Sequence, residues 1–182
     1  MLNLHRGNRK GLIKERRLDM IADALPPSQL EMSDEGIVYL MKREGNAPVA
    51  YQDVGGVWTI CSGSILDLNE KPVKRGLKYN PQECLALLTR DISNHSKAVQ
   101  KCVYVPLYQY QFDALTSFAF NIGNYSFCGS TMVRMLNKGD YSAASGQFMK
   151  WTKVTIKGKK VTSPGLVNRR TYDKALFDYG KY

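Results

Sequence analysis

Between Ile37 and Cys61 the chain passes from an amphipathic helix straight into a tight hairpin, and that transition limits the folds open to it. Ile37, Leu40 and Met41 recur at helical spacing and Glu44 continues their stripe, which leaves a carboxylate at the helix end on its apolar face. Gly45 stops the helix. Residues 49–53 and 57–59 then read as two short strands turned by Gly55-Gly56, an arrangement that would return Asp53 and Thr59 toward Glu44. A carboxyl shielded from water keeps its proton more readily, which suits a general acid, and a second carboxyl on a polar strand completes the pair that glycoside hydrolysis uses. The same residues would serve equally as a capped helix and a hairpin whose Asp and Thr satisfy turn amides.

The wider pattern separates these readings. Glu44, eight residues, Asp53, five residues and Thr59, with Gly45 after the Glu and Trp58-Thr59-Ile60 in the second strand, resembles the phage lysozymes (endolysins) of glycoside hydrolase family 24. The resemblance runs from about Ser33 to the C-terminus. It implies a lysozyme-like, mostly helical α+β fold, in which a small lobe with a β-hairpin is joined by a long helix to a helical larger lobe, with the cleft between. It also implies hydrolysis of the β-1,4 bond between N-acetylmuramic acid and N-acetylglucosamine in peptidoglycan, for host cell lysis. Glu44 would protonate the leaving oxygen while Asp53 and Thr59 hold a water for attack from the opposite face, with inversion and with no metal or cofactor. The competing expectation within this fold is a catalytically weak or inactive peptidoglycan-binding or scaffold module, against which the intact Glu44, Asp53 and Thr59 stand.

One departure from the family lies just past the hairpin. Relatives carry Gly-x-Gly-His or Cys-His-Gly-His there, whereas this chain has Cys61-Ser62-Gly63-Ser64. The family's His pairs with an Asp on the next helix, by position Asp91, so Ser64 implies a weaker anchor between the lobes.

With 182 residues the chain can build one domain with a real core, and its net charge of +10 calls for an anionic partner: nucleic acid, a lipid surface or an acidic wall. No apolar run reaches about eighteen residues and the N-terminus lacks a signal-peptide core, so synthesis in the host cytoplasm is expected. Action in the periplasm or at the cell wall would then follow membrane permeabilisation by a holin-type partner, as the resemblance implies, with the enzyme working as a monomer. Cys61, Cys84, Cys102 and Cys128 are widely spaced, and only His5 and His95 could join them, which argues against zinc. Buried free thiols are the expectation for a reducing compartment, with disulfides forming only after export.

Residues 1–31 form a separate basic segment, in which Leu12, Ile13, Met20, Ile21, Ala24 and Leu25 could line one face of an amphipathic helix that docks on an anionic membrane surface. A poorly ordered tail or a helix packed on the domain is the plainer alternative. Residues 32–182 form the catalytic domain, with Ser33 as a helix N-cap. Nucleic-acid binding is disfavoured because aromatics are not interleaved with the basic residues of the segment.

Asn80, Pro81 and Glu83 announce a long helix with Leu85, Leu88, Ile92 and Val99 on one face, and His95 reads as a surface or boundary residue. Residues 104–122 are the most apolar of the chain and predict the buried central helix, stopped by Gly123. The Phe120-Asn121-Ile122-Gly123 end is similar to the Phe-Asn-x-Gly signature of endolysins, which places Asn121 at the sugar cleft or as a plain cap. Ser130 and Asp140 open two further helices, the second running to Trp151, which is either core or a platform for a sugar ring. Residues 154–162 alternate as a basic hairpin, whose lysines could meet wall carboxylates or phosphates. In the last helix, Arg169 and Arg170 by resemblance bind a peptide or lactyl carboxylate of the substrate; an i,i+4 salt bridge from Arg169 to Asp173 competes.

Overall fold

The computed structural model describes residues 24–53 and 55–182. Its architecture is the expected α+β one. Helix α1 (Asp34–Met41) leads into an antiparallel hairpin of β1 (Ala47–Gln52) and β2 (Trp58–Cys61). The long α2 (Pro81–Cys102) follows, then α3 (Gln109–Ile122), three short helices α4 (Asn124–Cys128), α5 (Thr131–Leu136) and α6 (Tyr141–Gly146), a second hairpin of β3 (Lys153–Ile156) and β4 (Lys159–Thr162), and the closing α7 (Pro164–Tyr179).

The spine is α2. It starts where expected, with the Asn80 side chain accepting from the Glu83 amide and Glu83 returning the bond to the Asn80 amide. Its 22 residues span about 33 Å at 1.5 Å each, enough to pass through three apolar clusters in turn. Near its start Cys84 and Leu87 pack with Ile60, Cys61 and Val73 beneath the first hairpin. At its middle Leu88 and Ile92 meet Met32 and Leu40, which seats α1. At its end Val99 and the following Val103 join the main core around α3. Leu85, expected on the buried face, is exposed instead; the stripe is carried by Cys84, Leu87 and Leu88 because Leu85 lies a quarter-turn too far around.

Helix α3 is buried over every residue from 111 to 119, so it has no solvent face over that stretch. Phe118 stands edge-on to Phe127, Phe148 and Trp151 with centroids 6.4, 5.0 and 5.8 Å away. Residues 104–108 are not helical as expected: Leu107 instead pairs with Leu25 through two backbone bonds of 2.9 and 2.8 Å. The expected helix from Asp140 to Trp151 breaks after Gly146 into a single 3-10 turn.

All four cysteines are paired, Cys61 with Cys84 and Cys102 with Cys128, which overturns the expectation of free thiols. Their Cα atoms lie 5.4 and 5.5 Å apart, within the span a disulfide needs, and each bond fastens α2 to a neighbour: β2 at its start, α4 at its end. Widely spaced positions gave no sign of this, because the partners meet only once α2 is laid against both lobes.

The basic segment of residues 1–31 lies mostly outside the described residues, and its amphipathic reading with it. Its described end, residues 24–31, packs on the domain, with Leu30 in the main core and Leu25 bridged to Leu107. Among the described residues no helix is long and apolar enough to cross a membrane, and no group of His, Cys, Asp and Glu could hold a metal ion.

Candidate active site

Helix α1 carries the first site residue. Its start is fixed by Ser33, whose hydroxyl accepts from the Gly36 amide and donates to buried Asp113 of α3 at 2.5 Å. Asp113 takes three more bonds, from the Ser33 amide, Gln109 and the Tyr182 hydroxyl, so α1 is pinned to the larger lobe by one carboxylate. The helix ends at Met41, earlier than its apolar stripe suggests, and Met41 itself is exposed. Glu44 lies one turn further on, its amide still bonded to the Leu40 carbonyl at 3.0 Å.

The Glu44 side chain is 16% exposed, and its Oε1 accepts from an Arg169 guanidinium nitrogen at 2.5 Å. Arg169 reaches it from α7, 125 residues later, and is itself 12% exposed. Shielding of the carboxyl is therefore as expected, but a cation that local sequence could not pair with it shares the site. The competing Arg169–Asp173 bridge does not form.

Arg170 is the correction on the same helix. It is fully buried, with its guanidinium on Asp173 at 3.0 Å, on the Asn121 side-chain oxygen and 4.8 Å from the Phe118 ring centre. Asp173 also accepts from Tyr39 and Ser117. Burial pushes the Tyr39 phenol upward, and the Asp173 carboxylate beside it adds to the shift. With no exposed surface Arg170 cannot meet a substrate; it ties α7 to α3 and so sets the position of its neighbour Arg169. Asn121 is exposed at the end of α3, oriented by its bond to Arg170.

On the first hairpin, β1 and β2 pair Tyr51 with Thr59 and Gln52 with Trp58, which leaves Asp53 at the mouth of the turn. Its Oδ1 accepts from the Gly55 and Val57 amides at 2.8 and 2.9 Å, so the plain turn-capping reading is realised in this oxygen. Oδ2 has no hydrogen-bond partner among the described residues. Thr59 is buried and donates its hydroxyl proton to the Val57 carbonyl at 3.0 Å, leaving its oxygen free to accept.

Ser64, standing at the family's His position, donates to Asp91 at 2.5 Å, so the expected anchor survives as a hydroxyl–carboxylate bond. Arg90 reinforces it, bonding Asp91 and also the carbonyls of Asp67 and Leu66, which staples the loop after β2 onto α2. His95, read from the sequence as a surface or boundary residue, lies one helical turn from Asp91. The ring is half-buried against Phe120, centroids 4.9 Å apart, and bonds Asn124 at 2.6 Å. Together with Ser64, Asp91 and Phe120 it lines a cavity of about 340 Å³. Burial pulls His95 below its ordinary value, opposed by the Asn124 bond and by the Asp91 and Glu44 charges. Its i,i+4 spacing from Asp91 was the available signal.

Trp151 packs edge-on against Phe118, as its core reading expects, and is half-exposed. It borders a cavity of about 910 Å³, whose wall contains none of Glu44, Asp53, Thr59 or Arg169. Volume alone does not mark the chemistry here.

The family model for phage lysozyme matches residues 41–173. The endolysin of Acyrthosiphon pisum secondary endosymbiont phage 1 is 39% identical over 149 residues, 82% of this chain and 99% of that protein. The SAR-endolysin of Escherichia phage Mu is 36% identical over 148 residues, 81% of this chain and 80% of its own. Among solved structures, the endolysin from Escherichia coli O157:H7 phage FAHEc1 superposes with a TM-score of 0.78 at 36% identity, covering 84% of this chain and 96% of that one.

Proposed function

Because the chain belongs to the phage lysozyme family and is an endolysin of the muramidase type, we propose that Glu44 is the acid that cleaves the peptidoglycan strand. The observation that carries this reading is the Glu44–Arg169 pair: a shielded carboxyl at the end of α1, held by one oxygen from the opposite lobe. Arg169 fixes Oε1, so Oε2 carries the proton to the leaving glycosidic oxygen between N-acetylmuramic acid and N-acetylglucosamine. Arg169 then balances the carboxylate left behind.

Asp53 and Thr59 divide the work at the opposite face of the sugar. The turn amides hold Asp53 by Oδ1 and leave Oδ2 to accept a proton from the attacking water. Thr59, its own proton given to Val57, accepts the water's second hydrogen. The water attacks as the leaving oxygen is protonated, and the product is inverted at the anomeric carbon. Asn121, exposed at the end of α3, hydrogen-bonds the glycan from the larger lobe, and Arg169 is the one arginine of the pair able to approach the substrate.

The substrate places the working site at the periplasm or cell wall, and two disulfides suit an oxidising compartment of that kind. Synthesis would be cytoplasmic, the enzyme a monomer, and release would depend on a holin-type membrane partner.

Proton NMR of the first turnovers on purified glycan strands tests the reaction. The expected product has muramic acid at the new reducing end and appears first as the α-anomer from the β-linkage. First appearance as the β-anomer would remove the water-holding role from Asp53 and Thr59. Binding of the strands without any new reducing end would replace the enzyme by a binding module.

A further inference from the structure

Arg43, the residue before Glu44, is a half-buried cation without a counter-charge. Among the described residues it enters no ion pair, and its Nε is buried with no hydrogen-bond partner. Two aromatic faces hold it instead. Its guanidinium carbon stands 3.3 Å from the centre of the Tyr39 ring on α1 and 4.9 Å from that of Tyr172 on α7. Nη1 donates to the Tyr39 carbonyl at 2.8 Å, one of the carbonyls that the end of α1 leaves without a helical donor. A planar cation against two rings is stabilised by cation–π attraction while one N–H closes the helix end, a combination that neither Lys nor Gln reproduces.

The two rings are not equivalent. Tyr39 is buried and its hydroxyl is bonded to Asp173, so it keeps its place without Arg43. Tyr172 is 50% exposed and lies one helical turn after Arg169, on the same face of α7. Arg43, Arg169 and Tyr172 all line one cavity of about 690 Å³. Helices α1 and α7 therefore meet here through two contacts from consecutive residues, Arg43 on Tyr172 and Glu44 on Arg169. A single ion pair between two elements leaves each free to pivot about it, and a second contact one turn away removes that freedom. Resting on the reading of Glu44 as the acid, we infer that Arg43 is a positioning residue: through Tyr172 it holds the face of α7 that carries Arg169 in register with Glu44. A residue that only capped α1 would need the Tyr39 carbonyl and would be indifferent to Tyr172.

The test compares the full chain with Arg43→Gln, Arg43→Lys, Tyr172→Leu and Tyr172→Phe, the folding of each checked by thermal melting. On soluble glycan strands, Arg43→Gln and Tyr172→Leu should lower kcat by about five- to twentyfold, with KM and melting temperature nearly unchanged. Tyr172→Phe should keep the parent rate, because the ring face and not the hydroxyl makes the contact, and Arg43→Lys should recover part of the loss. Nitrogen-15 NMR of the Arg169 guanidinium reads the same variants without reference to activity. Its N–H signals, separate while the ion pair stops rotation, should merge in Arg43→Gln and Tyr172→Leu and stay separate in Tyr172→Phe. Full activity of Tyr172→Leu beside a slow Arg43→Gln would reduce Arg43 to a helix cap and overturn the role. So would a loss confined to KM, a fall in melting temperature that accounts for the loss, or Arg169 signals that stay separate in Arg43→Gln. Merged signals at an unchanged kcat would uphold the hold on Arg169 and sink the reading of Glu44 as the acid.

Discussion

Arg169 is the residue whose role depends most on the three-dimensional arrangement. In sequence it sits four residues before an Asp and 125 residues from Glu44, and local spacing favours the wrong partner. Burial decides the matter: Asp173 lies inside the lobe, where Arg170 reaches it, and Arg169 on the adjoining face meets Glu44. Arg169→Gln should therefore lower kcat by roughly 10- to 100-fold through misplacement of the acid, with the melting temperature nearly unchanged. A fall in melting temperature matching the loss of activity would make Arg169 structural. The spacing of Glu44, Asp53 and Thr59 is local and could be read along the chain; the partners of His95, Phe120 and Asn124, approach it only in the folded chain. That residue gives a pH signature. Held below its ordinary 6.5 by burial, His95 stays neutral in the fold where the unfolded chain protonates it. Its contribution to stability is complete above pH 6.5 and is lost as pH falls through the folded value. Between pH 7 and 5 the melting temperature should drop more steeply for the parent than for His95→Gln, and parallel curves would contradict the assignment.

At the level of elements, α1 is placed by a close approach that sequence does not announce. A Cβ on Gly36 would stand 2.7 Å from the Asp113 Cγ, and Asp113 is locked by four donors and cannot give way. Gly36→Ala should cost about 1–3 kcal/mol in denaturant unfolding, the range of overpacked cores, and should also lower activity because α1 carries Glu44. An unchanged unfolding midpoint would mean that α1 is loosely seated. Helices with strong caps were read almost to the residue: α2 behind Asn80 and α5 behind Ser130. The misses share one cause. Leu107 pairs with Leu25, and Cys102 finds Cys128, through contacts of long sequence separation that override local periodicity.

The molecule as a whole is two lobes on one helix, with Glu44 at the end of α1, Arg169 on α7, and Asp53 and Thr59 at the first hairpin. Disulfides at both ends of α2 brace that frame; closing a loop of 26 residues is worth roughly 3.5 kcal/mol by chain entropy. The division into lobes was legible because a long capped helix between a hairpin and an apolar stretch allows few other packings. The meeting of α7 with α1 was not, since nothing local encodes it. We propose that this geometry makes Glu44 the proton donor. The most direct measurement is release of muramic-acid reducing ends from purified peptidoglycan by the parent chain and by Glu44→Gln, with folding of both checked by thermal melting. A loss of about 10²- to 10⁴-fold in the Gln variant, at an unchanged fold, is the predicted result. Equal rates for the two folded proteins would contradict it and place the acid elsewhere.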